Sequence, residues 1–370
     1  MEQKIITAKK NYRQLDEWLL GTKHPLLVCD PASIRFQPTF YTHIHTIHDL
    51  DWAEFRDFQP NPSYESVEKG VKLFREEKCD AILAVGGGSA IDVAKCIKLF
   101  ARMEPGVCYL DQEIVPNDIP FLVMPTTAGT GSESTRYAVI YKDGVKQSVT
   151  HESAIPGTVL FDPDCLRSLP AYQKKATMMD ALSHALESFW SVNSTEESKA
   201  YSREAIREIL THAGGYLLGR DECSEAMLRA ANTAGKAINI TQTTAGHAMC
   251  YKVTTLFGIA HGHATALCNR VLFPWMITNA DKCTDPRGSI YLQKTLKEIA
   301  EAMDCDSALA AANLYQELFD SLELEIPEAT EEQFELLKTS VNAERLKNHP
   351  IRLTDEDIDQ LYHMILKTKA

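Results

Sequence analysis

Short apolar runs alternate with helical stripes through the first half of the chain. Leu26-Leu27-Val28-Cys29 is an unbroken apolar run ending at Asp30, which predicts a strand buried on both faces. From Ser63 to Lys78 the apolar positions Val67, Val71 and Phe74 fall four and three apart, the spacing of one helix face. Ala81 to Val85 repeats the buried-strand pattern and breaks at Gly86-Gly87-Gly88; another helix follows from Ala90, and Phe121 to Met124 forms a further strand stopped by Pro125. Strands alternating with helices predict an open parallel sheet. Tyr137 to Tyr141 and Val145 to Val149 flank Asp143-Gly144, a hairpin signal. Beyond about Pro163 the strand runs give way to long helical stripes, such as Leu182, Leu186 and Phe189, or Leu292 to Met303. The pattern predicts an α/β domain over residues 1–163 and an all-helical domain over 164–370.

Composition narrows the class. A chain of 370 residues with 44% hydrophobic and 24% charged residues is expected to be globular and to form two domains. The net charge of −13 argues against nucleic acid and anionic membranes, which require a basic footprint. No apolar run approaches the roughly 20 residues that span a bilayer, and the first residues mix both charge signs without a signal-peptide core. The ten cysteines are scattered with no CxxC, so buried reduced thiols and a cytoplasmic location are expected.

Two segments carry a phosphate-binding pattern. Gly86-Gly87-Gly88-Ser89 follows a buried strand and opens a helix; glycines there let backbone approach a diphosphate, and the helix start offers free N–H groups. The GxGxxG fingerprint is absent. Pro125 to Glu133, with Thr126, Thr127, Thr130 and Ser132, forms a second polar loop after the next strand. Asp30, at the end of the first strand, suits a ribose hydroxyl pair and would repel a 2′-phosphate, favouring NAD(H) over NADP(H).

The remaining chemistry lies among histidines. Asp180 and His184 sit four apart in a helical pattern and share a face; on its own that spacing fits a surface contact better than a ligand pair. His247, His261 and His263 lie in an apolar surround of Met249, Val253, Leu256, Phe257 and Ile259, a costly setting for imidazoles without partners. One carboxylate with three imidazoles suits Fe(II) or Zn(II) with a position left for substrate. His43, His45 and His48 form another cluster, on what reads as an edge strand from Thr42 to Leu50.

These pieces together resemble the iron-containing alcohol dehydrogenases. The resemblance runs over nearly the whole chain: Pro60-Asn61-Pro62, GGGSAIDVAK from Gly86, PTTAGTGSE from Pro125, DALSHALES from Asp180, and two histidines fourteen residues apart, His247 and His261. It implies a dinucleotide-binding domain with an open parallel sheet, a helical metal-binding domain, and NAD(P) between the two. It implies metal ligation by Asp180, His184, His247 and His261. The cofactor contacts it implies are Asp30, Asn61, Gly86, Gly87, Gly88, Ser89, Thr126, Thr127, Thr130, Ser132 and Lys146. It also implies a homodimer or larger homo-oligomer. Many members carry a further histidine four residues after the third ligand; here Tyr251 stands there, which makes Tyr251 and His263 the candidates for handling the proton.

The activity implied is hydride transfer between a nicotinamide and a small aldehyde or alcohol at Fe2+ or Zn2+. The stretches Thr135 to Tyr141 and His247 to Lys252 are similar to the phosphonoacetaldehyde reductase branch, with Arg136 and Lys252 as the expected anion contacts. The competing readings are a dehydrogenase of neutral alcohols such as 1,2-propanediol, butanol or glycerol, and a dehydroquinate synthase-like lyase. The latter should lead its ligand set with Glu, where this chain has Asp180.

Overall fold

The computed structural model describes residues 3–8, 11–30, 37–46 and 51–369. The chain divides into two compact units: residues 1–169 with 219–228, and residues 170–218 with 229–370. Among the described residues no helix is long and apolar enough to cross a membrane, and all ten cysteines are free.

The first unit is built on a six-stranded parallel sheet of β1 (Lys4–Thr7), β2 (Pro25–Cys29), β3 (Ala53–Phe55), β4 (Ala81–Gly86), β5 (Phe121–Pro125) and β8 (Thr158–Phe161), in the order β1-β8-β5-β4-β2-β3. Every residue of β2, β4, β5 and β8 is buried, as unbroken apolar runs require of strands covered on both faces. From β2 the chain passes to β3 on one side, and from β4 to β5 on the other. The carboxyl ends of β2 and β4 therefore flank a switch point, where open α/β sheets bind ligands.

The longer helices lying wholly in this unit are α1 (Arg13–Leu19), α2 (Pro38–His45), α3 (Tyr64–Glu76) and α4 (Gly88–Phe100). α3 starts where Ser63 accepts from the Ser66 N–H at 3.1 Å. The hairpin β6 (Tyr137–Lys142) and β7 (Val145–Thr150) turns through Asp143 and Gly144 at φ 52° and 74°, the left-handed pair that a two-residue hairpin requires.

The region from Thr42 departs from the expected strand. Pro38–His45 is helical, with Phe40, Tyr41 and Ile44 buried, a stripe that burial enforces and that the alternating histidines obscure. Pro38 in its first turn has a φ suited to starting a helix. His43 then bonds Asp16 at 2.7 Å, and His45 leans on Trp52; His48 lies outside the described residues.

The second unit is mainly helical: α5 (Ala171–Trp190), α6 (Glu196–Leu217), α7 (Asp221–Thr241, whose later residues belong here), α8 (Ala245–Phe257), α9 (His261–Thr278), α10 (Ser289–Ala302) and α11 (Ala308–Ser321), with shorter helices following. A short parallel pairing joins β9 (Glu328–Ala329) and β10 (Lys367–Thr368). From Met178 to Trp190 every residue of α5 is buried, so this helix forms the axis of the unit and carries polar side chains into its interior. α8 ends at Gly258 in the left-handed conformation, φ 66°, and α9 begins at His261.

Candidate metal and cofactor sites

α5, α8 and α9 bring three of the expected ligands together. The donor atoms of Asp180, His247 and His261 lie within 4.8 Å of one another. Asp180 Oδ1 stands 3.6 Å from His247 Nε2 and 4.0 Å from His261 Nε2. Close packing of α9 on α5 makes this possible: a Cβ on Gly262 would fall 2.1 Å from the Ala176 carbonyl oxygen and 2.6 Å from Asp180 Cβ. His184, one turn after Asp180, lies flat against His247 with ring centroids 4.5 Å apart, and its nitrogens fall outside the close group.

Asp180 Oδ1 and His247 Nε2 are buried and make no hydrogen bond. Buried polar atoms without partners are rare, and two facing one another across 3.6 Å fit a shared cation. Two metal–ligand bonds of roughly 2.1 Å span up to about 4.2 Å, which matches the spacing. Burial opposes ionisation of Asp180, but His184, His247 and His261 outweigh it and hold the carboxyl well below the usual carboxylate range. Burial likewise opposes charge on His247, yet Glu187 and Asp180 raise it to about 10. Two buried carboxylates thus draw positive charge into this pocket.

The other expected residues of this unit divide. Tyr251 stacks on His261 at 5.6 Å and 19°, and burial pushes its phenol up. Lys252 is half-buried on α8. His263 is engaged at both nitrogens, Nδ1 with the Tyr172 hydroxyl at 3.1 Å and Nε2 with the Glu325 carbonyl at 2.9 Å. Burial lowers its pKa, so it is a neutral ring. The Tyr172 hydroxyl also accepts from the Ala260 N–H at 2.9 Å, which secures the chain entering α9.

In the first unit the two glycine loops lie against each other. Gly86 has φ 156°, and a Cβ there would meet Ala90 Cβ at 2.6 Å; a Cβ on Gly88 would meet Thr130 Cγ2 at 3.0 Å. The Thr126 N–H donates to the Gly86 carbonyl at 3.0 Å, and Thr130 Oγ1 accepts from the Ser132 N–H at 3.2 Å. Asp30, Phe58, Gln59, Pro60 and Gly87 to Ala90 line a cavity of about 400 Å3 at the switch point. Asn61, exposed and at φ 58°, turns the chain beside Pro60; Thr127 lies near Gly87.

Beneath the second loop Lys95, wholly buried, donates to the carbonyls of Ser132, Thr135 and Tyr137 at 2.5, 2.7 and 2.7 Å. Asp92 accepts from Ser132 Oγ at 2.7 Å and the Val139 N–H at 3.0 Å. Lys146, on β7, acts on Asp92 electrostatically. Arg136 is tied to Glu152 at 2.7 Å and lies over the Tyr137 ring.

Sequence reasoning missed Lys95 and Glu187. Glu187 follows Asp180 by seven residues on α5, two helical turns on the same face, and that spacing was the available signal.

Comparison with known proteins follows the same two parts. The family model for iron-containing alcohol dehydrogenase matches residues 2–163, and that for the C-terminal part of the Fe-containing alcohol dehydrogenase family matches residues 174–366. A long-chain-alcohol dehydrogenase of Geobacillus thermodenitrificans is 31% identical over 70% of this chain and 66% of its own length. The chain thus matches just under two thirds of that relative. A phosphonoacetaldehyde reductase of Streptomyces viridochromogenes is 28% identical, covering 80% of this chain and 79% of the relative. The fold matches the crystal structure of sulfoacetaldehyde reductase from Bifidobacterium kashiwanohense in complex with NAD+, with a TM-score of 0.87, 24% identity, and 99% and 98% of the two chains covered.

Proposed function

The chain belongs to the iron-containing alcohol dehydrogenase family of oxidoreductases, and from that premise we propose that it interconverts a small aldehyde and its alcohol using a nicotinamide and one divalent metal. The convergence of Asp180, His247 and His261 around two buried atoms that make no hydrogen bond carries this reading. With His184 they form the proposed ligand set, which suits Fe2+ and Zn2+ alike. A divalent ion held there supplies Lewis acidity toward a carbonyl oxygen, and the nicotinamide supplies the hydride.

The chain's own residues bind, orient and manage the proton. Tyr251 lies on His261 and keeps its phenolic proton at neutral pH, since burial pushes its pKa up; it is the proposed donor to the nascent alcohol. His263, with both nitrogens engaged, supports the start of α9. The cofactor contacts proposed are Asp30, Asn61, Gly86 to Ser89, Thr126, Thr127, Thr130, Ser132 and Lys146. Asp30 shares a cavity with Gly87 to Ser89, and its carboxylate favours NAD(H) by repelling a 2′-phosphate. A homo-oligomer in the cytoplasm is the proposed setting, in keeping with ten free thiols.

For the substrate, phosphonoacetaldehyde is the proposed anionic candidate, with Arg136 and Lys252 as its contacts. The ion pair of Arg136 with Glu152 favours a second reading, a neutral aldehyde, because that guanidinium already has a carboxylate. The test is to load the protein with Fe(II) or Zn(II) and follow NADH and NADPH consumption with phosphonoacetaldehyde and propanal. Turnover with NADH that a chelator abolishes is expected; no turnover with either aldehyde under any combination would refute the proposed activity. An Arg136→Ala variant that lowers the phosphonoacetaldehyde rate relative to propanal selects the anionic substrate, and an unchanged ratio selects the neutral one.

A further inference from the structure

We propose that Glu187 is the positioning residue of the metal centre, holding His247 so that Nε2 presents its lone pair to the ion; this rests on the metal reading above. Glu187 is wholly buried, and both carboxylate oxygens are engaged. Oε1 accepts from His247 Nδ1 at 2.6 Å and Asn269 Nδ2 at 2.9 Å. Oε2 accepts from the Thr244 N–H at 2.6 Å, Thr244 Oγ1 at 2.9 Å and the His247 N–H at 3.4 Å. Trp190 Nε1 in turn donates to Thr244 Oγ1 at 2.9 Å, which leaves the threonine proton for Glu187.

Three consequences follow from this arrangement. An ionised carboxylate only accepts, so His247 must carry its proton on Nδ1, and Nε2, 3.6 Å from Asp180 Oδ1 and without a hydrogen bond, is the ligand atom. The same carboxylate takes backbone N–H groups at the start of α8, where the cap residue Thr244 makes no side-chain bond to its own helix. An anion from α5 therefore caps the helix that carries the ligand, which fixes that helix end as well as the ring. Finally, a Cβ on Gly246 would lie 2.4 Å from Glu187 Oε1 and 2.2 Å from Asn269 Oδ1, so the glycine preceding His247 makes room for the carboxylate. His261 is held differently: its Nδ1 faces the Cys250 thiol at 3.6 Å, a weak partner. Carboxylates behind ligating imidazoles orient the ring and raise its basicity.

The test compares wild type with Glu187→Gln, which keeps the volume and removes the charge. Zn(II) affinity is measured by competition with a chromophoric chelator, and the visible absorption of the Co(II)-loaded protein is recorded. The expected result is an affinity loss of roughly 10- to 100-fold and an altered Co(II) spectrum, neither of which a merely structural carboxylate would produce. Thr244→Val, which removes one donor and leaves the carboxylate beside His247, should weaken Zn(II) binding in the same direction by less; it covers the case in which Glu187→Gln does not fold. If variants bind Zn(II) like wild type with an unchanged Co(II) spectrum, the proposal fails while the metal reading stands. A wild-type protein that binds neither ion overturns both.

Discussion

The glycine-loop region and the histidine cluster solve the same problem with opposite materials. In the first, backbone forms the proposed site, and a buried cation supports it: Lys95 gathers three carbonyls under the second loop. In the second, side chains form the proposed site, and a buried anion supports it: Glu187 gathers N–H donors behind His247. Each central charge is wholly buried, and each is tolerated because its hydrogen-bonding capacity is filled. The difference lies in what a substitution reaches. Changing Lys95 should disturb a loop's path, whereas changing Asp180 should remove a donor and leave the surrounding helices in place.

The strongest way to break the comparison is at the ligands. Asp180→Asn should lose metal retention and aldehyde turnover together while NADH affinity stays within about twofold, a change worth only about 0.4 kcal/mol. Metal content by mass spectrometry and NADH titration measure the two sides, and full turnover by a metal-free variant would end the assignment. Lys95→Met should act the other way. It removes the ammonium that three carbonyls share and leaves the buried Asp92 without its neighbouring cation, which should cost about 3–5 kcal/mol in chemical denaturation, together with weaker NADH binding; retention of wild-type NADH affinity would deny Lys95 its role.

A smaller effect concerns His349. It is buried, and neither ring nitrogen has a hydrogen-bond partner; burial lowers its pKa to about 4 from 6.5. Its folded-state pKa is depressed, so the unfolded chain binds more protons between those values. Stability is full above pH 6.5 and is lost as pH falls toward 4, by about 3 kcal/mol in all. His349→Phe should flatten denaturation midpoints across that window, and an unchanged acid slope would contradict this. Smallest in stability is Gly87→Ala, since the nearest atoms to a Cβ there are those of Thr127 at 3.6 Å, an ordinary contact. The variant should fold like wild type yet bind NADH about tenfold less tightly, a loss near 1.4 kcal/mol. Equal affinity would show that no ligand approaches that glycine.

Strands β2, β4 and β5 and the hairpin were legible because their causes are local, whereas strands β1, β3 and β8 were not read. Uninterrupted runs such as Ala81 to Val85 admit few alternatives, and Asp143-Gly144 supplies the two positive φ angles its turn needs. Pro38–His45 was misread because alternating histidines mimicked a strand, while the buried stripe of Phe40, Tyr41 and Ile44 begins earlier. Asp180, His247 and His261 could be grouped through family motifs, since nothing in their spacing alone brings three helices together. The pairing of Arg136 with Glu152, sixteen residues on, and the filling of both His263 nitrogens depend on tertiary contacts. Glu187 could have been found, because it repeats the face of Asp180, but a glutamate on a helix reads by default as solvated surface.

The uneven exposure of the proposed ligands bears on how long an ion stays. Asp180 and His247 side chains are each 3% exposed, and that of His261 is 37% exposed. If the proposed ion sits there, its way in and out would lie past His261, the most exposed of the three, so rotation of that imidazole should set its residence time. On the same proposal, His247, held by Glu187 at 2.6 Å, should set how tightly it sits once there. Exchange rate and affinity would then rest on separate side chains, and which metal filled such a centre would follow from the supply around it as much as from the donors within.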